Sequence, residues 1–224
     1  MKDIAPTSRH SHGRRLRVTL LGVGAMSSPR FAPAGLLVEA GRSRVMLDGG
    51  PGAVPDGALD AWLVTDAHGE LAAAIRRLAR ARGLGSGVAS FITGSLSVTP
   101  RPVVHTSHPA HGYVIAAGGW RLAWAPEFWR FPAWAARVDL CFADAAGWAR
   151  PIRFANGVGG HACVFETAEA AKRRRVGRLV FAHIGRPSIR AIDTGEQPPF
   201  GEWGEEGTRF VLGDQLRRYL PRRT

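Results

Sequence analysis

The chain has 224 residues, 30 of them Lys or Arg against 18 Asp or Glu, for a formal charge of +12. That length can bury a substantial core. No run nears the roughly 20 apolar residues of a spanning helix, and the lack of a long Pro/Gly/Ser-rich linker or an internal repeat reads as one domain. Two cysteines, Cys141 and Cys163, show no metal-site spacing; reduced thiols in a cytoplasmic protein, with no membrane partner, are expected.

Residues 1–16 are polar and basic (Arg9, His10, His12, Arg14, Arg15) and read as a mobile tail ahead of a domain over 17–224. Arg17 to Val23 predicts a strand, and 35–39 with 44–47 a hairpin closed by Asp48-Gly49-Gly50-Pro51-Gly52. Ala61 to Thr65 reads as a buried strand. In 69–82, Leu71, Ile75 and Leu78 fall at helical spacing with arginines on the other side. Short strands follow at 102–105, 113–117, 121–124 and 138–143. A helix over 168–175 takes Thr167 as N-cap; a strongly apolar strand over 178–182 ends at His183. A strand over 208–212 and a short helix over 214–219 complete the chain. Strand runs followed by single helices in two successive halves predict an α/β (α+β) protein: a four-layer αββα sandwich, two mixed sheets face to face with helices outside.

Between the strand ending at Thr65 and the next helix lies Asp66-Ala67-His68-Gly69-Glu70-Leu71. Three side chains with ligand atoms, two apart at a sharp turn, can converge on one ion; the rival reading is a polar turn whose Thr65 or Asp66 caps the helix. Other candidates stand near strand ends: His105, His108 and His111 before Gly112-Tyr113, Glu127 after Ala125-Pro126, Asp144 after 138–143, His161 after Gly159-Gly160, and His183. Each taken singly also reads as a solvated or hydrogen-bonded rim residue. Asp48, in its Gly-rich turn, reads as an acceptor for loop amides. The aromatics around Glu127 (Trp120, Trp124, Phe128, Trp129, Phe131, Trp134) read as core or pocket wall ahead of a base-stacking platform.

The order of these motifs resembles the metallo-β-lactamase superfamily, in its ribonuclease Z and cyclic phosphodiesterase-like branch, with Asp-x-His-x-Glu-Leu in place of His-x-His-x-Asp-His. The resemblance implies metal ligands at Asp66, His68, Glu70, His108 (His105 the close rival), Glu127 and His183, and catalytic roles for His161 and Glu70. It implies one or two divalent ions, zinc or, given the oxygen-rich set and the absence of a nitrogen at Leu71, manganese or iron. The implied function is a metal-dependent hydrolase, foremost a phosphodiesterase acting on a nucleotide or nucleic acid through a metal-activated water. A lactone or thioester hydrolase, and a degenerate member that binds an anionic partner, are the alternatives. Basic groups at Arg76/Arg77/Arg80/Arg82, 172–175 and Arg217/Arg218/Arg222/Arg223 favour a phosphate-bearing small molecule or nucleic acid as partner, with the first two groups expected to flank the site; charge runs of this kind also occur as solvated helix faces. Oligomeric state stays open, a homodimer included.

Overall fold

A computed structural model of the protein describes residues 15–155 and 157–213. The tail up to residue 14, the expected terminal helix and its arginines lie outside them. Strand β1 (Leu16–Gly22) begins at the last residue assigned to the tail, and β2 (Gly35–Ala40) and β3 (Ser43–Asp48) form the expected hairpin. Next come β4 (Ala61–Leu63), helix α1 (Ala72–Arg80), β5 (Ser86–Gly87), β6 (Phe91–Ile92) and β7 (Ser97–Val103). They are followed by β8 (Ala110–Ala117), β9 (Trp120–Ala125), β10 (Leu140–Ala145), β11 (Ile152–Arg153) and β12 (Gly160–His161). Helix α2 (Val164–Arg173), β13 (Arg178–Ile184), α3 (Arg186–Asp193), β14 (Glu202–Trp203) and β15 (Arg209–Leu212) complete the described chain.

One mixed sheet runs in the order β15-β1-β2-β3-β4-β5, the other β14-β13-β10-β9-β8-β7-β6, and β11 with β12 makes a small hairpin apart. Alternation of side chains sorts the layers. On β2 and β3, Leu36, Val38, Val45 and Leu47 join Val98, Tyr113, Leu122, Trp124 and Phe142 between the sheets. The residues between them, Leu37 and Met46, face outward with Trp62 onto Ile75 and Ala79 of α1. On the far side Ala168 and Ala171 of α2 and Ile189 of α3 cover the second sheet. The four-layer αββα sandwich is thus present. With both faces covered, strands such as β10 and β13 are apolar almost throughout rather than alternating.

Some boundaries differ from expectation for local reasons. Helix α1 starts at Ala72, because residues 66–71 turn first, and its N-cap position is Leu71 with no side-chain cap; neither Thr65 nor Asp66 caps it. Strand β7 starts five residues early, and its Pro100 and Pro102 are tolerated because β6 pairs only with Ser97 and Val98, leaving that edge of β7 open. Helix α2 starts at Val164 from a Cys163 N-cap, so Thr167 lies inside it, buried, rather than at its cap. Helix α3 was not anticipated; it opens on Gly185 with a proline in its first turn.

Candidate metal centre

Strand direction brings the polar residues to one end of the sandwich. β9, β10 and β13 are parallel, in a register pairing Ala125 with Ala143 and Asp144 with Ala182. Glu127, Asp144 and His183 therefore leave the second sheet at the same edge. β7 and β9 both run antiparallel to β8, so the end of β7 brings His105 there and the start of β8 brings His108. In the first sheet β3 is parallel to β4, which places Asp48 beside Thr65 and leads directly into Asp66.

The two sheets are pinned together at this end. Asp48 accepts from the Thr65 amide (2.7 Å) and hydroxyl (3.0 Å) and, across the core, from Trp124 Nε1 (2.7 Å). Tyr113 donates to the Val64 carbonyl (2.9 Å) and the His111 amide to that of Thr65 (2.9 Å). Asp48 thus does the loop-bonding work expected of it, with φ 51°, a left-handed conformation that Asp adopts more readily than most residues. Withdrawal from water pushes its carboxyl up to about 7 against the Trp124 and Thr65 donors.

Two groups of side chains face one cavity of about 270 Å³. In the first, Asp66, His68 and His108 each offer a ligand atom, all within 4.8 Å of one another. Asp66 holds His108 Nε2 at 2.8 Å and accepts the His68 amide at 2.7 Å, and the two imidazoles stand edge to face at 5.3 Å. In the second, Glu127 meets His105 Nε2 at 2.9 Å and His183 Nδ1 at 3.3 Å. His105 Nδ1 donates to the Gly160 carbonyl at 2.9 Å, so its Nε2 is the nitrogen turned to the carboxylate.

His183 owes its place to an irregularity. The β10–β13 pairing skips it, Asp144 facing Ala182 and Ala145 facing Ile184, and its φ is 62°. A bulged residue in the left-handed region re-aims one side chain without ending the strand, at a conformational cost of about 1 kcal/mol or more. Behind this group Asp144 is wholly buried. It accepts from the Phe128 amide (3.0 Å), the Ala146 amide (2.8 Å) and His161 Nδ1 (2.8 Å). The reading of Asp144 as a carboxylate near the site rim is corrected: it is an interior anchor that fixes His161, whose ring stacks on His183 at 5.1 Å and stands 4.6 Å from His105.

Electrostatics couple the second group. Burial alone would raise Glu127, but the imidazoles of His183, His105 and His161 more than offset it and hold the carboxyl at about 2. Burial opposes charge on His105, yet Glu127 raises it; burial likewise opposes charge on His161, yet Asp144 and Glu127 raise it. His183 is the exception, since its burial outweighs Glu127 and Asp144 and lowers it.

Glu70 lines the same cavity, exposed, as does Leu71, whose side chain also packs against the α1 layer. His111 does not line the cavity; His105 and His108 both do, on different carboxylates. The cavity-lining Phe154, edge-on to His105 and His161 (5.4 and 5.7 Å), lies in the β11–β12 connection and gave no sequence signal. The Asp144–His161 pairing could have been suspected from a lone Asp in an otherwise apolar strand. Trp120, Trp124 and Phe128 are core, as read.

The two basic groups expected beside the site are graded in distance from it: α1 has its first residue at the cavity, so Arg76 lies about 6 Å and Arg80 about 12 Å along it, and α2 begins three residues after His161, so Arg173 lies about 13 Å along. Arg82 spreads over Trp62 at 5.7 Å and donates to the Pro55 carbonyl at 3.3 Å. Among the described residues lining the cavity there is no Lys or Arg, while Asp48, Asp66, Glu70 and Glu127 all contribute. Carboxylates and imidazoles without an ammonium or guanidinium among them are a donor set that fits a divalent cation.

The fold is that of the metallo-β-lactamase proteins. The chain is similar to YhfI from Bacillus subtilis, a metallo-β-lactamase fold protein, at 16% identity and TM-score 0.67 over 89% of this chain and 100% of that one. It is similar to Zn(2+)-bound PqqB from Methylobacterium extorquens (15% identity, TM-score 0.68, 88% and 100% covered). A new diphosphatase from the PhnP family matches at 14% identity and TM-score 0.66, over 88% of this chain and 97% of that one. Human tRNase Z, short form, matches at 14% and 0.58, over 87% and 98%. No family model matches the sequence, and no curated protein does. Among the described residues no helix is long and apolar enough to cross a membrane.

Proposed function

We propose that this protein is a metal-dependent hydrolase that cleaves a phosphodiester. The observation that carries the reading is the convergence of Asp66, His68 and His108 with Glu127, His105 and His183 on a cavity that, among the described residues, no Lys or Arg lines. Asp66, His68 and His108 would hold one ion; Glu127, His183 and His105, with Glu70 at the rim, offer ligands for a second. Zinc, or manganese or iron, suits this mixture of oxygen and nitrogen donors. A divalent ion there supplies Lewis-acid polarisation of the phosphoryl oxygens and an acidified water. The protein's own part is positional: Asp144 fixes the His161 ring through Nδ1, leaving Nε2 as its free nitrogen for giving a proton to the leaving oxygen. Similar structures that are described as a diphosphatase and as a tRNase Z support a phosphate-bearing substrate.

A second reading, a degenerate member that binds an anionic partner, is favoured by one feature only: Leu71 offers no ligand atom where the related motif has a histidine. The test is elemental analysis of protein purified without added metal or a His tag, followed by assay on bis(p-nitrophenyl) phosphate with zinc or manganese and with chelator. Bound metal and chelator-sensitive turnover are expected. Protein that neither retains nor takes up a divalent ion, and turns nothing over, refutes the hydrolase.

A further inference from the structure

A second concavity lies beyond one wall of the first. Glu127 and His161 line the metal cavity, whereas Trp129, Arg130 and Phe131, a few residues on, and Ala162, the next residue, line a separate groove of about 250 Å³. Phe128, fully buried, stands between them in sequence, its carbonyl accepting the Ala162 amide at 2.8 Å. Helix α2 supplies most of the remaining lining, with Glu166, Thr167, Glu169 and Arg173.

Burial sorts these side chains into a floor and a rim. Ala162 and Thr167 are buried, Trp129 and Phe131 half-buried, and Arg130, Glu166, Glu169 and Arg173 exposed. In the floor the Thr167 hydroxyl has no hydrogen-bond partner, although buried polar groups are ordinarily satisfied. On the rim Glu169 and Arg173 pair with each other along the helix, while Arg130 and Glu166 make no ion pair among the described residues. The Arg153 guanidinium lies over the Trp129 ring at 5.2 Å, yet Arg153 does not line the groove, so the indole meets the groove with surface that this cation does not cover.

Charge decides the class of occupant. Among the described residues the lining holds two guanidiniums and two carboxylates, a balance that offers neither an anion nor a cation a net field. Two aromatic side chains with one unpaired donor and one unpaired acceptor suit a planar, uncharged ring that carries an acceptor beside a donor. Adenine has that pair on one edge, N7 accepting and the N6 amino group donating.

We propose that this groove binds the adenine ring of a nucleoside or nucleotide, stacked on Trp129, with Arg130 donating to N7, Glu166 accepting from N6 and the Thr167 hydroxyl meeting a ring nitrogen. The site stands on the groove's own residues and goes beyond the hydrolase reading without depending on it.

The test is calorimetric titration of the metal-free full chain with adenosine, repeated with zinc and methylphosphonate present. Binding that is the same in both is expected, because the groove is not the metal cavity. Trp129→Ala should weaken it roughly tenfold or more, as loss of base stacking on an aromatic ring does. Arg130→Ala, at an exposed side chain with no ion pair to lose, should weaken it about fivefold. Purine riboside, which lacks the amino group, should bind the wild type about fivefold less tightly than adenosine and be indifferent to Glu166→Ala, while adenosine loses that factor in the variant. Thr167→Val removes the hydroxyl at nearly constant shape, so it should bind adenosine less tightly and be no less stable in urea, a split that a purely structural threonine does not give. No binding at millimolar adenosine, displacement by methylphosphonate, purine riboside binding as tightly as adenosine, or the zwitterion tryptophan binding more tightly would overturn the proposal. Absent phosphodiester turnover with adenosine binding intact counts against the hydrolase and not against the groove.

Discussion

Replacing Asp144 by Asn tests whether the buried carboxylate holds the site together. Asp144 is fully buried and all three of its partners are donors: two amides and an imidazole N–H. The Phe128 amide and His161 share Oδ2, while the Ala146 amide has Oδ1 to itself. If the new amide oxygen takes the Oδ2 place, its NH₂ must face the Ala146 N–H, 2.8 Å from the old oxygen, donor against donor. The reverse orientation abandons two partners. The smallest loss is therefore one charge-assisted hydrogen bond plus a buried N–H left unpaired, about 2–4 kcal/mol. Urea denaturation of the metal-free protein at pH 6 should show this as a lower midpoint at unchanged slope. The substitution should also lower the titration of His161 seen by NMR. His161 stands above its ordinary 6.5 because Asp144 and Glu127 outweigh its burial. Stability from a raised histidine is complete below the unfolded value and is lost as pH rises through the folded one. The wild type should lose that contribution above about pH 6.5, and Asp144→Asn should show a shallower slope, the remainder coming from Glu127 acting on His161 and on the likewise raised His105. A stability loss below about 1 kcal/mol, or a His161 titration that does not move, would refute the reasoning.

Leu71→His should add a nitrogen ligand beside Glu70 and tighten binding of a second ion by about tenfold or more, roughly 1.4 kcal/mol; calorimetry checks it, and a wild type that already holds two zinc ions tightly would contradict it. At His183, φ 62° disfavours a β-branched side chain, so His183→Val should be less stable than His183→Ala by about 1 kcal/mol, and His183→Gly should recover that difference in urea. Equal stability of the three would mean that the bulge is not under strain. In the metal-free protein Glu127 titrates at about 2 against an ordinary 4.5. The depressed carboxylate contributes stability that is present above 4.5 and lost as pH falls toward 2, by at most about 3 kcal/mol. Glu127→Gln should remove this acid limb of the pH–stability curve, and a limb of unchanged size would assign it to other carboxylates.

The layers were legible because sheets covered on both faces leave nearly continuous apolar runs with little else that they could be. The αββα arrangement followed from where those runs gave way to helical spacing. Helix α3 escaped because Arg186-Pro187-Ser188 looks like a loop, although proline in a first turn is compatible with a helix. The site residues were legible as residue types at strand ends, and the structure brings every proposed ligand to one cavity. Their pairing was not legible. Choosing between His105 and His108 from spacing assumes a single place to fill, whereas the fold gives each its own carboxylate. The re-aiming of His183 depends on a one-residue slip between β10 and β13, and both strands read as unbroken in sequence.

The placement of charge links the fold to the site. Among the described residues each of the three α-helices begins just after a residue of the site: α1 at Ala72, after Glu70; α2 three residues after His161; α3 three residues after His183. The described helices carry basic residues in their last turns, Arg77 and Arg80, Lys172 and Arg173, and Arg190, where cations complement the negative end of the helix dipole, while Arg76 lies in the middle of α1 and Arg186 is the first residue of α3. That places the five last-turn side chains at the far ends of their helices, and the start of α1, whose first residue lines the cavity, partly offsets the four lining carboxylates. Among the described residues, then, no Lys or Arg lines the cavity, and an anionic group that enters it would meet histidines, the start of α1 and, on the hydrolase reading, a metal. Salt should accordingly weaken the binding of methylphosphonate less than it weakens nonspecific binding of nucleic acid, since a released counterion atmosphere governs only the second. Equal salt slopes for the two ligands would return the arginines to the site.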